Sequence, residues 1–346
     1  MAVYTAIDDP SAYFKVQLYT GNGSANHAIT FDDTDTDMQP DMVWIKNRDA
    51  TDNNIIFDSV RGATKRLYVD TTAVEATDAD TLDSFTSDGF QVDADVKVNT
   101  NTEAYVAWCW KANGTGSANT AGSINTAATS ANTTSGFSIC TVADIGSEDF
   151  TFGHGLGVAP SWVLAKSRDG GKWNNYFKSL GAGYTIQSNT AAAKITNDVM
   201  WQDTDPSSTL VSSNGDQLDS NESYVFYCFA DVQGFSKFGS YTGNGNADGA
   251  FVYTGFRPAF VIQKRTDTTG NWVMTDTGRS PDNESHETLY PNLTNAEEGM
   301  GKDLLSNGFK CKTSDATINA SGGTYIYMAF AEAPFVNSNG VPCNAR

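Results

Sequence analysis

Three short, nearly continuous apolar runs recur along the chain, each opened by proline and closed by lysine and a polar turn. They are Pro40-Asp41-Met42-Val43-Trp44-Ile45-Lys46, Pro160-Ser161-Trp162-Val163-Leu164-Ala165-Lys166 and Pro258-Ala259-Phe260-Val261-Ile262-Gln263-Lys264. A run of this length bounded by Pro and a turn predicts a strand covered on both faces. A second frame follows each: Tyr105-Val106-Ala107-Trp108-Cys109-Trp110, Tyr224-Val225-Phe226-Tyr227-Cys228-Phe229 and Tyr325-Ile326-Tyr327-Met328-Ala329-Phe330. The opening Pro precedes the Tyr of the second frame by 65, 64 and 67 residues. Such self-similarity marks an internal repeat. Between the frames lie short alternating stretches punctuated by Asp-Gly, Asn-Gly and Gly-Gly turns. Ala, Glu and Leu cluster in 71–83 and 294–305, where helix and non-helix readings stand level, so the chain carries short helices at most.

Further echoes support the division. Tyr19-Thr20-Gly21-Asn22-Gly23 returns as Tyr241-Thr242-Gly243-Asn244-Gly245, and Ser87-Asp88-Gly89-Phe90 as Ser306-Asn307-Gly308-Phe309. The expected units are 1–112, 135–233 and 234–335, with a tail over 336–346. Residues 113–134, rich in Gly, Ser, Ala, Asn and Thr, read as a flexible or surface-draped linker. The expected fold is all-β: three tandem β-sandwich units of jelly-roll or concanavalin-like type.

Composition narrows the function. With 41 acidic against 22 basic residues the formal charge is -19, which disfavours nucleic acid and anionic membrane surfaces as partners. No apolar run is long enough to span a bilayer, and Met1 to Pro10 lacks the basic-then-apolar pattern of a signal peptide. Twelve Leu against 14 Tyr and 19 Phe, with 31 Gly, favour strands and turns over helices. The five cysteines, Cys109, Cys140, Cys228, Cys311 and Cys343, show no metal or disulfide spacing and suit synthesis in a reducing cytoplasm.

Candidate chemistry is sparse. His27, His154 and His286 have no ligand partners at metal spacing, and no P-loop, dinucleotide fingerprint or nucleophile elbow occurs. Gly153-His154-Gly155-Leu156-Gly157 reads as a hairpin or bulge. The acidic run containing Asp33, Asp35 and Asp37 offers oxygen ligands at alternate positions, as calcium needs, but it lacks the glycine and terminal Glu of an EF-hand, so a solvated loop is the preferred reading and calcium the weaker one. No other cofactor is expected. For a glycan platform, the aromatic residues beside amides and carboxylates are Trp201, Trp173 and Trp272. Trp173 and Trp272 stand 13 and 14 residues after their unit's Pro, so a core role on an equivalent strand competes with binding.

The opening Ile7-Asp8-Asp9-Pro10-Ser11-Ala12-Tyr13-Phe14 resembles the start of many virion proteins of marine tailed bacteriophages. So do Val43-Trp44-Ile45-Lys46-Asn47-Arg48-Asp49, Phe57-Asp58-Ser59-Val60-Arg61-Gly62-Ala63-Thr64-Lys65 and Tyr105-Val106-Ala107-Trp108-Cys109-Trp110-Lys111-Ala112. The resemblance is dense over 1–112 and looser beyond. It implies a lectin-like sandwich and a structural role in the virion, and it transfers no catalytic residue. Units two and three lack the Phe-Asp-Ser-Val-Arg-Gly-Ala-Thr-Lys string. The expected function is therefore a non-enzymatic tail-fibre or adhesion component, made in the bacterial cytoplasm and displayed on the particle. It would contact other virion proteins and a host surface glycan, as a homo-oligomer that analogy makes a trimer, with 1–112 as the docking unit. The alternatives are a capsid-decorating head fibre or cement protein and, less favoured, a polysaccharide depolymerase.

Overall fold

A computed structural model describes residues 4–31 and 36–343. Unit one holds β1 (Phe14–Thr20), β2 (His27–Thr30), β3 (Met42–Asn47), β4 (Ile55–Asp58), β5 (Gly62–Tyr68), β6 (Ala76–Thr77), β7 (Leu82–Thr86), β8 (Gly89–Val92), the one-turn helix α1 (Val96–Asn99) and β9 (Ala104–Trp110). Unit two holds β10 (Ala128–Asn132), β11 (Phe137–Val142), β12 (Asp149–Gly153), β13 (Trp162–Ser167), β14 (Trp173–Phe177), β15 (Tyr184–Gln187), β16 (Ile195–Thr196), β17 (Leu210–Asn214), α2 (Gly215–Leu218) and β18 (Tyr224–Phe229). Unit three holds β19 (Ser236–Thr242), β20 (Phe251–Tyr253), β21 (Phe256–Arg265), β22 (Trp272–Asp276), β23 (Ser285–Thr288), β24 (Glu298–Leu305), β25 (Gly308–Cys311), α3 (Ala316–Asn319) and β26 (Thr324–Pro334).

The fold is all-β, as expected. Each unit is a sandwich of one large and one small antiparallel sheet. The large sheets run β1-β9-β3-β4-β5-β6, β10-β11-β18-β13-β14-β15-β16 and β19-β26-β21-β22; the small ones run β2-β8-β7, β12-β17 and β20-β25-β24-β23. The repeated frames are adjacent central strands: β3 pairs with β9, β13 with β18 and β21 with β26.

Strand alternation explains why these frames are apolar throughout. On β9, Tyr105, Ala107 and Cys109 face the unit's own core, while Val106, Trp108 and Trp110 face away from it. The same split separates Tyr224, Phe226 and Cys228 from Val225, Tyr227 and Phe229 on β18, and Tyr327 and Ala329 from Ile326, Met328 and Phe330 on β26. The outward faces of all three large sheets merge into one shared core. Aromatic pairs tie the units there: Phe14 stacks on Phe330 with centroids 5.0 Å apart, Trp162 lies parallel to Trp272 at 6.0 Å, and Trp110 meets Phe229 edge-on at 6.2 Å. Each such pair contributes about 0.5–1.5 kcal/mol beyond its buried area. The units thus close a ring around one core within a single chain.

The repeated lysine also faces the shared core, at one end of it. Lys46, Lys166 and Lys264 are fully buried. Each ammonium donates to carbonyls of its following turn: Lys46 to Asn47 and Ala50, Lys166 to Gly170 and Gly171, Lys264 to Gly270 and to Ala191 of unit two. Burial pushes all three down to about 8, against the pull of nearby carboxylates. Lys166→Met is expected to leave two buried carbonyls unpaired and to lower stability by about 1–3 kcal/mol, read as a shift in the urea midpoint.

Two expectations are corrected. The segment 113–134 is no flexible linker: β10 lies within it and pairs along β11, and Ile124 packs against the unit-two core. Its small side chains suit a strand laid close over a sheet edge. Nor are 71–83 and 294–305 helical; they carry β6 and β24. A Glu in each makes an inter-unit contact instead, Glu75 N donating to Arg168 O and Glu297 N to Arg48 O, both at 2.8 Å.

Candidate binding cleft and the contacts between units

The structure buries all three tryptophans singled out for a glycan platform. Trp173 is 0 % exposed, and Trp201 and Trp272 are 1 % exposed. A stacking platform needs an open ring face, and none of the three presents one. Trp173 and Trp272 are instead equivalent fasteners between units. Trp173 Nε1 donates to Tyr68 O at 2.8 Å, and Trp272 Nε1 to Gln187 O at 2.9 Å. Asn54 occupies the matching place in unit one and donates to Tyr290 O and Leu293 O of unit three. The three donor residues run cyclically, each bonding from its unit to the preceding one. Of the acidic run, Asp33 and Asp35 lie outside the described residues, and Asp37 is exposed. His154 is buried, with its basicity lowered by burial, and its Nε2 lies 3.2 Å from Ser207 O.

The motifs that carried the sequence resemblance are also contacts between or within units. Asp58 and Arg61 form a fully buried ion pair at 2.5 Å. Tyr227 of unit two donates to Asp58 Oδ2 at 2.6 Å, and Glu75 joins Arg61 to Arg168 of unit two. Unit three repeats the arrangement where no string was expected. Asp276 pairs with Arg279 at 2.7 Å, Trp108 of unit one donates to Asp276 Oδ2 at 3.0 Å, and Glu297 joins Arg279 to Arg48. The Asp-x-x-Arg spacing alone was the signal that survived. The repeated Tyr-Thr-Gly-Asn-Gly has a local role. Tyr19 and Tyr241 donate to Val98 O and Ile318 O, both at 2.7 Å, and Asn99 and Asn319 bond to Asn22 and Asn244. A Cβ at Gly21 or Gly243 would collide with the carbonyl of Thr100 or Ala320, which accounts for glycine there.

The aromatic site that sequence reading missed lies at the start of unit three. A cleft of about 570 Å³ opens beside β19 and β20, walled by Tyr4, Tyr253 and Phe335 with Asp231, Gln233 and Lys237 among its polar groups. Tyr4 and Tyr253 are 54 % and 55 % exposed and Phe335 is 36 % exposed. Lys237 Nζ stands 5.2 Å from the Tyr253 ring centroid. Asp231 is the one carboxylate of this lining, and it is already held: it accepts from Phe238 N at 2.9 Å and from Ser161 Oγ at 2.5 Å. Rings with open faces beside amide, ammonium and carboxylate groups suit the apolar face and hydroxyl rim of a sugar. Glycoside hydrolysis by the usual route needs a second carboxylate across the cleft. These residues come from positions 4, 231–255 and 335, and only the fold assembles them.

Among curated proteins, none matches the chain. Residues 9–334 match the model of a family described as a domain of unknown function (DUF7483). That span takes in all three units, consistent with the shared core that makes them one structural body, and the chain belongs to this family.

Proposed function

We propose that the chain is a non-enzymatic structural protein of a tailed-phage virion, a tail-fibre component displayed outward whose unit-three cleft contacts host glycan. The observation that carries the reading is that cleft, which gathers three exposed aromatic rings beside amide, ammonium and carboxylate groups. The resemblance of residues 1–112 to phage virion proteins supports the setting. The charge of -19 favours solubility on an exposed particle, and in salty surroundings it leaves contact to short-range stacking and hydrogen bonds. Other virion proteins would be its assembly partners.

Capsid decoration is the second reading. The closed three-unit core favours it, because a rigid block suits a cement role. Gold-labelled antibody on purified particles separates the two: label at the tail supports adhesion, label over the head supports decoration, and no label on the particle removes both. Release of polysaccharide fragments by the purified protein would overturn the non-enzymatic assignment. For adhesion, Tyr253→Ala is expected to cost about 2 kcal/mol in glycan affinity, roughly a 30-fold loss. The urea midpoint should barely move, since the ring is exposed. Unchanged host adsorption by particles carrying the variant would remove Tyr253 from the contact.

A further inference from the structure

The three units offer three equivalent sheet edges, and the chain treats each differently. The first strands of the large sheets correspond through their pairing. Phe14 lies opposite Trp110, Phe137 opposite Phe229, and Ser236 opposite Phe330. Val16, Ile139 and Phe238 are therefore equivalent. In unit two this edge is occupied, because β10 runs antiparallel along β11 with Ser130 opposite Ile139 and Ala128 opposite Thr141. In unit three it is blunted. The outward N–H of Phe238 is taken by the Asp231 carboxylate at 2.9 Å, and Val232 bridges back to Ser236. Inward acidic groups and bridges of this kind protect an edge from pairing.

In unit one β1 is the last strand of its sheet, and among the described residues no strand pairs with its outer side. A groove of about 400 Å³ follows it, lined by Phe14, Val16 and Leu18 on one wall and on the other by the unit-three residues Ala259, Thr277, Gly278 and Ala331, small apart from Thr277, with Glu332, which pairs with Arg257, at its rim. By correspondence with Phe238, the N–H groups of Val16 and Leu18 point into this groove. The Leu18 carbonyl, which points the same way, accepts from the Gln17 side chain at 2.7 Å.

We propose that the β1 edge is a docking site for an extended strand of a partner protein, added antiparallel with small side chains as β10 is added to β11. Main-chain hydrogen bonds supply affinity in such β-addition, and alternate side-chain pockets supply selectivity. The occupant's chemistry is read from β10, whose Ala-Thr-Ser-Ala-Asn sequence carries no bulky group, and from the small residues of the facing wall. That wall also disfavours edge-to-edge pairing of two copies, which needs an open flank. The inference stands apart from the virion reading and does not require it.

The test uses the full chain, isotope-labelled, and a synthetic peptide of residues 126–133 as the probe strand. At peptide ten times its Kd, the Val16 and Leu18 amides are expected to exchange with solvent roughly tenfold more slowly, while Lys15 and Gln17, which face β9, do not change. Val16→Pro removes one outward donor without touching the β9 ladder, a placement edge strands tolerate, and should abolish the protection; Leu18→Pro is the second variant should the first fail to fold. No protection of these amides by the peptide overturns the proposal. So does protection without peptide that deepens with protein concentration, because a second copy would then be the occupant.

Discussion

Asp58→Ala is expected to destabilise the protein by about 3–5 kcal/mol, because it strips the buried Arg61 guanidinium of its fully buried carboxylate and leaves the more distant Glu75, at 3.1 Å, to balance the charge. The ring contains its own control for this prediction. At the interface of units two and three the corresponding positions are Phe177, Leu180 and Lys194 of unit two facing Thr266 and Met328 of unit three. The correspondence follows from shared strand register and from the bond Lys194 N to Thr266 O, which matches Glu75 N to Arg168 O. Every member of the polar network is replaced there at once, and Phe177, Leu180 and Met328 join the shared core. Of the turn donors that Asp58 holds in unit one, the equivalent Leu180 N goes to the Phe177 carbonyl at 2.9 Å and Ser179, equivalent to Val60, is exposed to solvent. Exchanging Asp58→Phe, Arg61→Leu, Glu75→Lys, Arg168→Thr and Tyr227→Met together should therefore cost less than Asp58→Ala alone. Urea unfolding of the two variants decides it, and a fivefold variant less stable than the single one would refute this account. Acid acts on the same network. Burial raises Glu75, but the hydrogen bond from Arg168 and the charges of Arg61 and Arg168 outweigh it and hold the carboxyl below its ordinary 4.5. Its stabilisation is present above that value and is lost as pH falls through the lower folded value, a loss that Glu75→Gln removes.

Neither 1–112 nor 135–346 is expected to fold as a soluble monomer when expressed alone. The first would expose Phe14, Trp44, Trp108 and Trp110, the second Phe229, Phe260 and Phe330, all of them buried in the shared core. Contiguous apolar surface of that kind drives aggregation. Each fragment should show dye-accessible hydrophobic surface and no sharp near-ultraviolet dichroism, while the intact chain unfolds in a single transition. A 1–112 fragment with native-like amide dispersion, or two separate transitions of the whole chain, would show that the units are autonomous. The same reasoning alters the expectation that 1–112 docks while the rest projects: docking by one unit remains open, but only as a face of the assembled ring.

Much of the architecture was legible in the sequence. The two frames marked the central strands, their unbroken apolarity implied cover on both faces, and the turn-rich composition implied sandwiches. These properties are local, because strand alternation and turn chemistry are written in neighbouring residues. What covered the second face was not legible, since Trp44 facing a small sheet and Trp44 facing two other units look alike in a one-dimensional pattern. Trp173 and Trp272 carried the composition of a glycan site, yet they hold neighbouring units through their indole N–H groups. The exposed rings of Tyr4, Tyr253 and Phe335 stand far apart along the chain and became a cleft only through folding. The sequence by itself determined the central strands of each large sheet and how often the unit repeats. Tertiary structure decided that three sheets share one core, that Asp58 and Asp276 are fasteners where Phe177 is not, and which aromatic faces stay open. The physical reason is that burial and pairing depend on what arrives from elsewhere in the chain.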